Sequence, residues 1–464
     1  VHGGHPAHLL TAEETTMKTY RTFGLALMLL VGAASCDTEV TNPGPVQDDF
    51  LQGEAGRGGM GALVSGSGRA LGSAMNWLSY TGAAVTREIH PSGSTGSFGI
   101  TQRWQNGDLN ADDGDLNVHW EQAQRARWVA EETVRRLEAM GPPPSGSAQS
   151  PAQYADLLKR ALVYAGFANR LLGEHMCDCV IDGGALQAGP AGYLQRAESL
   201  FTNAIAVTGG TASAMTQLNQ AAYGGRASVR VLAGDWAGAV SDAQQVPIGF
   251  AYSMPYYNIG EDAQRNRIFF SSGNSRESGS AYRAHTQWNT WHVEYKYGTS
   301  TLTATTAPVT ADTRIPIAFT TLVGDAAIDC CGRVPFWPQA KHTSSDAPIR
   351  LTGGREMQLV RAEERLVAND MSGAMGFINA ARTAAGAETI SATDLTDAWR
   401  LLKRERGIEL WLEARRMGDL RRWAAASTPG ALDPLEIVGS LSHLARQDLC
   451  FPVSRSERDA NPNF

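Results

Sequence analysis

Two short stretches, "GDWAGAVSDAQ" at 234–244 and "NDMSGAMGFINAAR" at 369–382, repeat one design. In each, a glycine, or an asparagine able to adopt left-handed geometry, ends one helix. An aspartate caps the next, and small residues at helical spacing pack against the helix before it. A chain that passes from helix to helix so abruptly is committed to helical hairpins, and hairpins bury their apolar faces by stacking on one another.

Helical periods dominate the rest of the chain. Asp115 to Met140 places Val118, Ala126, Val129 and Leu137 near one face and stops at Gly141-Pro142-Pro143-Pro144. Pro151–Gly173 and Ala191–Val207 read as one helical pair, with alanines and glycines that let backbones approach closely. Asn219–Ala233 and Asp235–Gln245 read as another, separated only by Gly234. The arrangement resembles degenerate tetratricopeptide repeats; ordinary helical hairpins are the plainer alternative, because the spacings are irregular. With 464 residues, 43% of them hydrophobic, the chain can bury a large core or two fused ones. The expected class is mainly α, with short β-strands confined to irregular insertions.

Those insertions have a different texture. Phe250 to Pro348 is rich in Tyr, Trp, Ser, Thr, Asn and Gly and shows short β-like runs without a sustained helical face. It carries too many large apolar groups to be one disordered loop. A second stretch of this kind lies between Ser79 and Asp115. Loops held on a rigid frame are where recognition usually sits.

The amino-terminal region reads as a secretion and anchoring signal. Met17-Lys18-Thr19-Tyr20-Arg21 is followed by an uncharged run from Thr22 to Ala34, too short for a stable bilayer span, which closes on Ala33-Ala34-Ser35-Cys36. Small residues before a cysteine are the pattern of a bacterial lipoprotein signal, with Cys36 as the lipidated thiol; the alternative is a buried helix with an incidental cysteine. On this reading residues 1–16 are upstream sequence or a misplaced start, 17–35 the signal peptide and 36–49 a flexible acidic, proline-containing tether. The folded part is then 50–464, divided into 50–249, 250–348 and 349–464. No later segment is apolar for long enough to cross a membrane.

Net charge is -7 and basic residues are interspersed with acids, so no basic stripe offers itself to nucleic acid. Beyond Cys36 the cysteines are Cys177, Cys179, Cys330, Cys331 and Cys450. An oxidising exterior implies one or two disulfides among them, with the pairing left open. His175-Met176-Cys177-Asp178-Cys179 lacks a second cysteine pair at zinc-site spacing, so structural disulfides are favoured over a metal and no cofactor is expected.

Asp394 to Trp423 reads as one last helix bearing a charge ladder that includes Arg404, Glu405, Arg406, Glu409, Glu413, Arg415, Arg416, Asp419 and Arg422. Glu409 and Glu413 fall one turn apart on one face. Glycosidase carboxylates usually face each other from separate elements, so a structural network is the expected role. The sequence shows no serine elbow and no HExxH, which argues against a hydrolase.

At these residues the chain resembles the SusD/RagB-like outer-membrane nutrient-binding lipoproteins. The resemblance rests on Met357–Gly386, on "RERGIELWLEARRMGDLRRW" (404–423), on "CFPVSRSERDANPNF" (450–464) and on Asp312-Thr313-Arg314 in place of Asp-Pro-Arg. Ala414 stands where the family commonly has glycine. Arg404, Glu409, Glu413, Arg415, Asp419, Arg422 and Trp423 then form a structural motif. The resemblance implies a helical scaffold with four tetratricopeptide-like hairpins, a ligand-binding side made of insertions with a closing carboxyl-terminal strand, and no enzymatic activity. It further implies a place on the outer membrane, facing the exterior, a SusC-like TonB-dependent transporter as partner, and a glycan or peptide as ligand. Aromatic faces suit sugars, which makes Trp77, Tyr80, Trp104, Tyr256, Tyr257, Trp288, Trp291 and Trp337 the candidate ligand contacts. A protein-docking helical scaffold without a small ligand, or a surface hydrolase, are the alternatives.

Overall fold

In the computed structural model the described residues are 54–86, 88–91, 109–259, 264–273, 288–290, 314–317, 337–431 and 449–464. The signal, Cys36, the tether, Trp104, Trp291, Cys330, Cys331, Asp312 and Thr313 lie outside them, as does the side chain of Trp288.

After a 3-10 turn at Glu54–Gly59, the described elements are α1 (Met60–Val85), β1 (Ile89–Pro91), α2 (Gly114–Met140), α3 (Pro151–His175), α4 (Ala191–Ala206), α5 (Ala212–Ala233), α6 (Trp236–Ala243), β2 (Ala251–Met254), α7 (Arg267–Ser272), β3 (Trp288–Thr290), β4 (Ile349–Gly353), α8 (Gly354–Val367), α9 (Met371–Ala384), α10 (Leu395–Glu409), α11 (Arg416–Ala425) and α12 (Arg455–Ala460). The protein is mainly α. Helices pair as α1/α2, α3/α4, α5/α6 and α8/α9, and successive pairs stack through α2 on α3, α4 on α5 and α6 on α8.

The two repeated stretches fold alike. Gly234 and Asn369 both take left-handed φ, 79° and 59°. Asp235 and Asp370 each cap the following helix, accepting from the amides of Gly238 at 2.9 Å and Gly373 at 2.8 Å. Small residues bring the pairs together elsewhere too: a Cβ at Gly166 would lie 2.7 Å from the Phe201 ring, and one at Gly225 only 2.3 Å from it. Phe201 of α4 thus sits between α3 and α5, filling the space that two glycines leave.

Sequence periodicity did not reveal α1. Its "GALVSGSGRALGSAMNW" is poor in strong helix formers, yet it packs against α2, α3, α7, α11 and β2, and small residues are what permit so many close neighbours. The stretch read as an insertion from Ser79 therefore begins as helix, through Val85. Two antiparallel two-stranded ladders are described. β1 pairs with β3, setting Pro91 opposite Trp288, and β2 pairs with β4, setting Met254 opposite Ile349. The second ladder brings the two ends of the 255–348 segment together at the edge of the helical stack.

The carboxyl-terminal ladder of charges is not one helix. α10 ends at Glu409 and α11 begins at Arg416; between them Leu412 and Ala414 have φ of 60° and 57°. Periodicity could not show this break, because the ladder runs on through it. A left-handed non-glycine residue costs about 1–2 kcal/mol, and here full burial of Leu412 and near-full burial of Ala414 offset it. Leu412 also donates its amide to Glu88 Oε1 at 3.1 Å.

The turn aims the ladder inward. Arg415 donates to Glu174 at 2.8 Å and to Glu356 at 2.7 Å. Arg406 holds Asp419 through two bonds of 2.8 Å, and Arg422 holds both Asp419 and Glu363, whose carboxylate also accepts from the Trp423 indole at 2.7 Å. Glu409 and Glu413 converge on Arg350, at 2.7 and 3.0 Å, and Glu413 also meets Lys341 at 2.7 Å. Arg314 and Arg382 share Glu405. Arg404 is half-buried on α10. Burial alone would raise the Glu409 carboxyl, but Arg350 and Arg355 outweigh it and hold the group below its ordinary range.

Cys177 and Cys450 form a disulfide, and among the described residues Cys179 is a buried free thiol. Beside it, Cys177 N donates to Phe451 O and Phe451 N to His175 O, a single parallel bridge where the sequence suggested a closing strand; α12 follows it.

Candidate functional site

Pockets on a helical scaffold need a face where side chains are missing. Gly68 and Gly72, four residues apart on α1, provide one. A Cβ at Gly68 would stand 3.0 Å from the ring of Tyr164, which reaches across from α3, and the Tyr256 hydroxyl donates to the Gly72 carbonyl at 2.8 Å. Tyr256 and Tyr257 arrive on the segment leaving β2, so the β2–β4 ladder sets their position.

The resulting cavity has a volume of about 180 Å³. Tyr164, Tyr256, Tyr257, Met254 and Pro255 form its apolar surface, with Arg69, Ser65 and Gln264 as its polar groups. Tyr256 is buried as a wall, whereas Tyr257 is 53% exposed at the mouth. The Tyr257 amide donates to the Gln264 carbonyl at 2.8 Å, closing a short loop. With its amide oxygen turned toward Arg69, Gln264 accepts from Nε at 2.6 Å and Nη2 at 2.9 Å, which fixes the plane of the guanidinium.

Burial raises the phenol pKa values of Tyr164, Tyr252 and Tyr256 above the ordinary value, so these hydroxyls stay protonated at neutral pH. The pocket therefore combines flat apolar faces with neutral and cationic hydrogen-bond groups. It is smaller than the ~300–1,000 Å³ typical of sites for drug-sized ligands. One ring-sized group fits it, not an extended chain.

Among the sequence-derived candidates, the structure brings together Tyr256 and Tyr257. Trp77 lies on α1 with the Arg267 guanidinium 3.5 Å from its ring centroid and His119 edge-on at 5.4 Å, so protein groups occupy its surroundings. Tyr80 is fully buried, and Trp337 is 3% exposed. Trp288 is placed only by its backbone register in β3. Sequence reasoning missed Tyr164, Arg69 and Gln264. The glycine pair at 68 and 72 was the available signal, because paired glycines on one helix face announce a close approach.

Among the described residues no group of three or more His, Cys, Asp or Glu is arranged to hold a metal ion. Cys177 is consumed by its disulfide, and His175 is fully buried with Nδ1 2.8 Å from the Leu171 carbonyl. Among the described residues no helix is long and apolar enough to cross a membrane.

Residues 340–462 match the sequence model of the SusD family. No curated protein matches the chain by sequence. By structure the chain is similar to a SusD superfamily protein from Bacteroides vulgatus, with 15% identity, a TM-score of 0.61, and 87% of this chain and 97% of that one covered. It is similar to another from Bacteroides thetaiotaomicron, with 15% identity, a TM-score of 0.59 and coverage of 87% and 98%. A third, described as a SusD-like carbohydrate binding protein from Bacteroides vulgatus, shows 14% identity, a TM-score of 0.56 and coverage of 79% and 83%. Residues 340–462 thus carry the sequence pattern of the SusD family, and most of the chain shares the fold of solved SusD superfamily proteins.

Proposed function

We propose that the protein is a lipid-anchored, outer-membrane receptor that captures a glycan and passes it to a TonB-dependent transporter without breaking a bond. The observation that carries this reading is the tyrosine pocket, placed on the scaffold of a family with a solved member described as carbohydrate binding. A sugar ring offers an apolar face ringed by hydroxyls, and the pocket offers the complement: Tyr256 and Tyr257 for stacking, with Arg69 and Gln264 for hydroxyl or carboxylate groups. Cys36 is the proposed attachment point of the anchor, with acidic residues 36–49 as tether.

A catalytic role has little support from the described carboxylates nearest in type to a glycosidase pair. Glu409 and Glu413 share Arg350, and both are bound up in the buried ionic network. Two measurements test the reading. Titration of purified chain with oligosaccharides is expected to show binding that Tyr257→Ala weakens, with no release of fragments. Fractionation after Cys36→Ser is expected to find the protein freed from the outer membrane; membrane association that survives the change intact would remove the anchor from the account.

A further inference from the structure

A second aromatic surface lies away from the tyrosine pocket, on the outer side of α2. Trp128 is 57% exposed there, an unusual exposure for the largest apolar side chain. It lines an open groove of about 490 Å³ that it shares with Arg125, Arg127, Asp182 and Glu457, none of which lines the tyrosine pocket.

Hydrogen bonds hold part of the groove wall in place. Arg127 donates from Nε to Gln124 at 2.9 Å and from Nη2 to Asp182 at 2.9 Å. Gln124 in turn donates to the Val180 carbonyl at 3.0 Å and to the Tyr193 hydroxyl at 2.7 Å. Glu457 accepts from the Trp120 indole at 3.3 Å and from Asn461 at 3.1 Å. A ligand meets polar groups that are already ordered, so little side-chain entropy is lost on binding.

Charge indicates the kind of ligand. Two cations, Arg125 and Arg127, stand with two anions, Asp182 and Glu457. The adjoining groove, about 500 Å³, is balanced likewise, with Glu131 bonded to Arg196 at 3.0 Å. Trp128 and Glu131 are three residues apart on one helix face, so the two grooves follow each other along α2. A charge-balanced track with an exposed indole and planar polar side chains complements a neutral chain of hydroxylated rings better than an ionic one.

We propose that this face is a second carbohydrate-binding site, taking a neutral oligosaccharide whose ring stacks on Trp128. The inference rests on the reading of the ligand as carbohydrate and extends it. A polysaccharide held at both Trp128 and the tyrosine pocket gains avidity that neither site supplies alone.

The test is calorimetric titration of the full chain with maltoheptaose, cellohexaose, laminarihexaose and mannohexaose, using wild type, Trp128→Ala, Trp128→Phe, Tyr257→Ala and the Trp128→Ala/Tyr257→Ala pair. At least one sugar is expected to bind, with affinity about fivefold to tenfold lower in Trp128→Ala and largely kept in Trp128→Phe. Tyr257→Ala alone should keep the Trp128-dependent binding, and the paired variant should lose it. Thermal midpoints of the Trp128 variants should match wild type, since the side chain is mostly exposed. If Trp128→Ala titrates as wild type while Tyr257→Ala loses binding, this second site falls and the tyrosine pocket stands. If no sugar binds, both fall. If Trp128→Ala leaves every sugar affinity unchanged but prevents association with the transporter, the face is a protein-docking surface and the proposal is overturned.

Discussion

The Arg415 guanidinium donates from Nε to Glu174 at 2.8 Å, across 241 residues of chain. The same guanidinium meets Glu356 of α8 at 2.7 Å, so one side chain joins the turn after α10 to both α3 and α8. All three residues are buried. The carboxyl-terminal motif is therefore a fastener for the helical stack. Arg415→Met should destabilise the protein by about 3–5 kcal/mol, because two buried carboxylates lose their hydrogen-bonded guanidinium and keep only the more distant Arg170, 3.4 Å from Glu174, and Arg406 as counter-charges. Urea unfolding measures this, and a loss below about 1 kcal/mol would remove Arg415 from that role.

Acid should loosen the same network. Burial would raise the Glu356 and Asp419 carboxyls, yet Arg415 and Arg406 respectively lead the charges that hold them below their ordinary range. A carboxylate with a folded pKa below its unfolded value stabilises above about pH 4, and the stabilisation is lost as pH falls through the folded value. Wild-type stability should thus fall below about pH 4, more steeply than that of Arg415→Met.

Glu88 behaves in the opposite sense. Burial pushes its carboxyl up to about 7. Below the unfolded value of about 4.3 both states are protonated; as pH rises from there to 7 the unfolded chain ionises first, and stability is lost. Glu88→Gln, which keeps an oxygen for the Leu412 amide, should leave stability near pH 4 unchanged and raise it at pH 8 by about 1–3 kcal/mol. Thermal melts of the two proteins across this range show whether the gap opens with pH.

Cys177–Cys450 closes a loop of most of the folded chain. Replacing both cysteines with serine should cost about 2–4 kcal/mol. The Cys177–Phe451 backbone bridge should survive the change, so the expected loss is in the unfolding midpoint and not in helical content by circular dichroism.

Tyr256 and Tyr257 are adjacent and should respond differently. Tyr256→Phe removes the bond to the Gly72 carbonyl and should cost about 1 kcal/mol of stability. Tyr257→Ala alters a half-exposed side chain and should change stability by less than about 0.5 kcal/mol while lowering glycan affinity about fivefold to tenfold. Parallel melts and titrations separate the two effects.

The hairpins were legible because their signals are local. Gly234-Asp235 and Asn369-Asp370 write helix end and helix start into adjacent residues, and the structure follows them. Helix α1 was not legible, since its glycines and serines suit crowding by partners that no local window contains. The break at 410–415 was hidden for a related reason: Leu412 and Ala414 hold left-handed backbone through burial, not through residue preference. The candidate site was legible in part. Tyr256 and Tyr257 announce themselves as an aromatic pair in an irregular stretch, while Tyr164 and Arg69 sit on ordinary helical periods and become neighbours only through the fold.

The central claim is that this scaffold binds carbohydrate at the Tyr164–Tyr256–Tyr257 pocket and leaves it intact. Calorimetric titration of the purified chain with a panel of bacterial, plant and host polysaccharides, combined with an assay for newly formed reducing ends, tests it most directly. The account predicts saturable binding of at least one polysaccharide, weakened by Tyr257→Ala, with no new reducing ends. Absence of binding across the panel, or cleavage of the bound polymer, would contradict it.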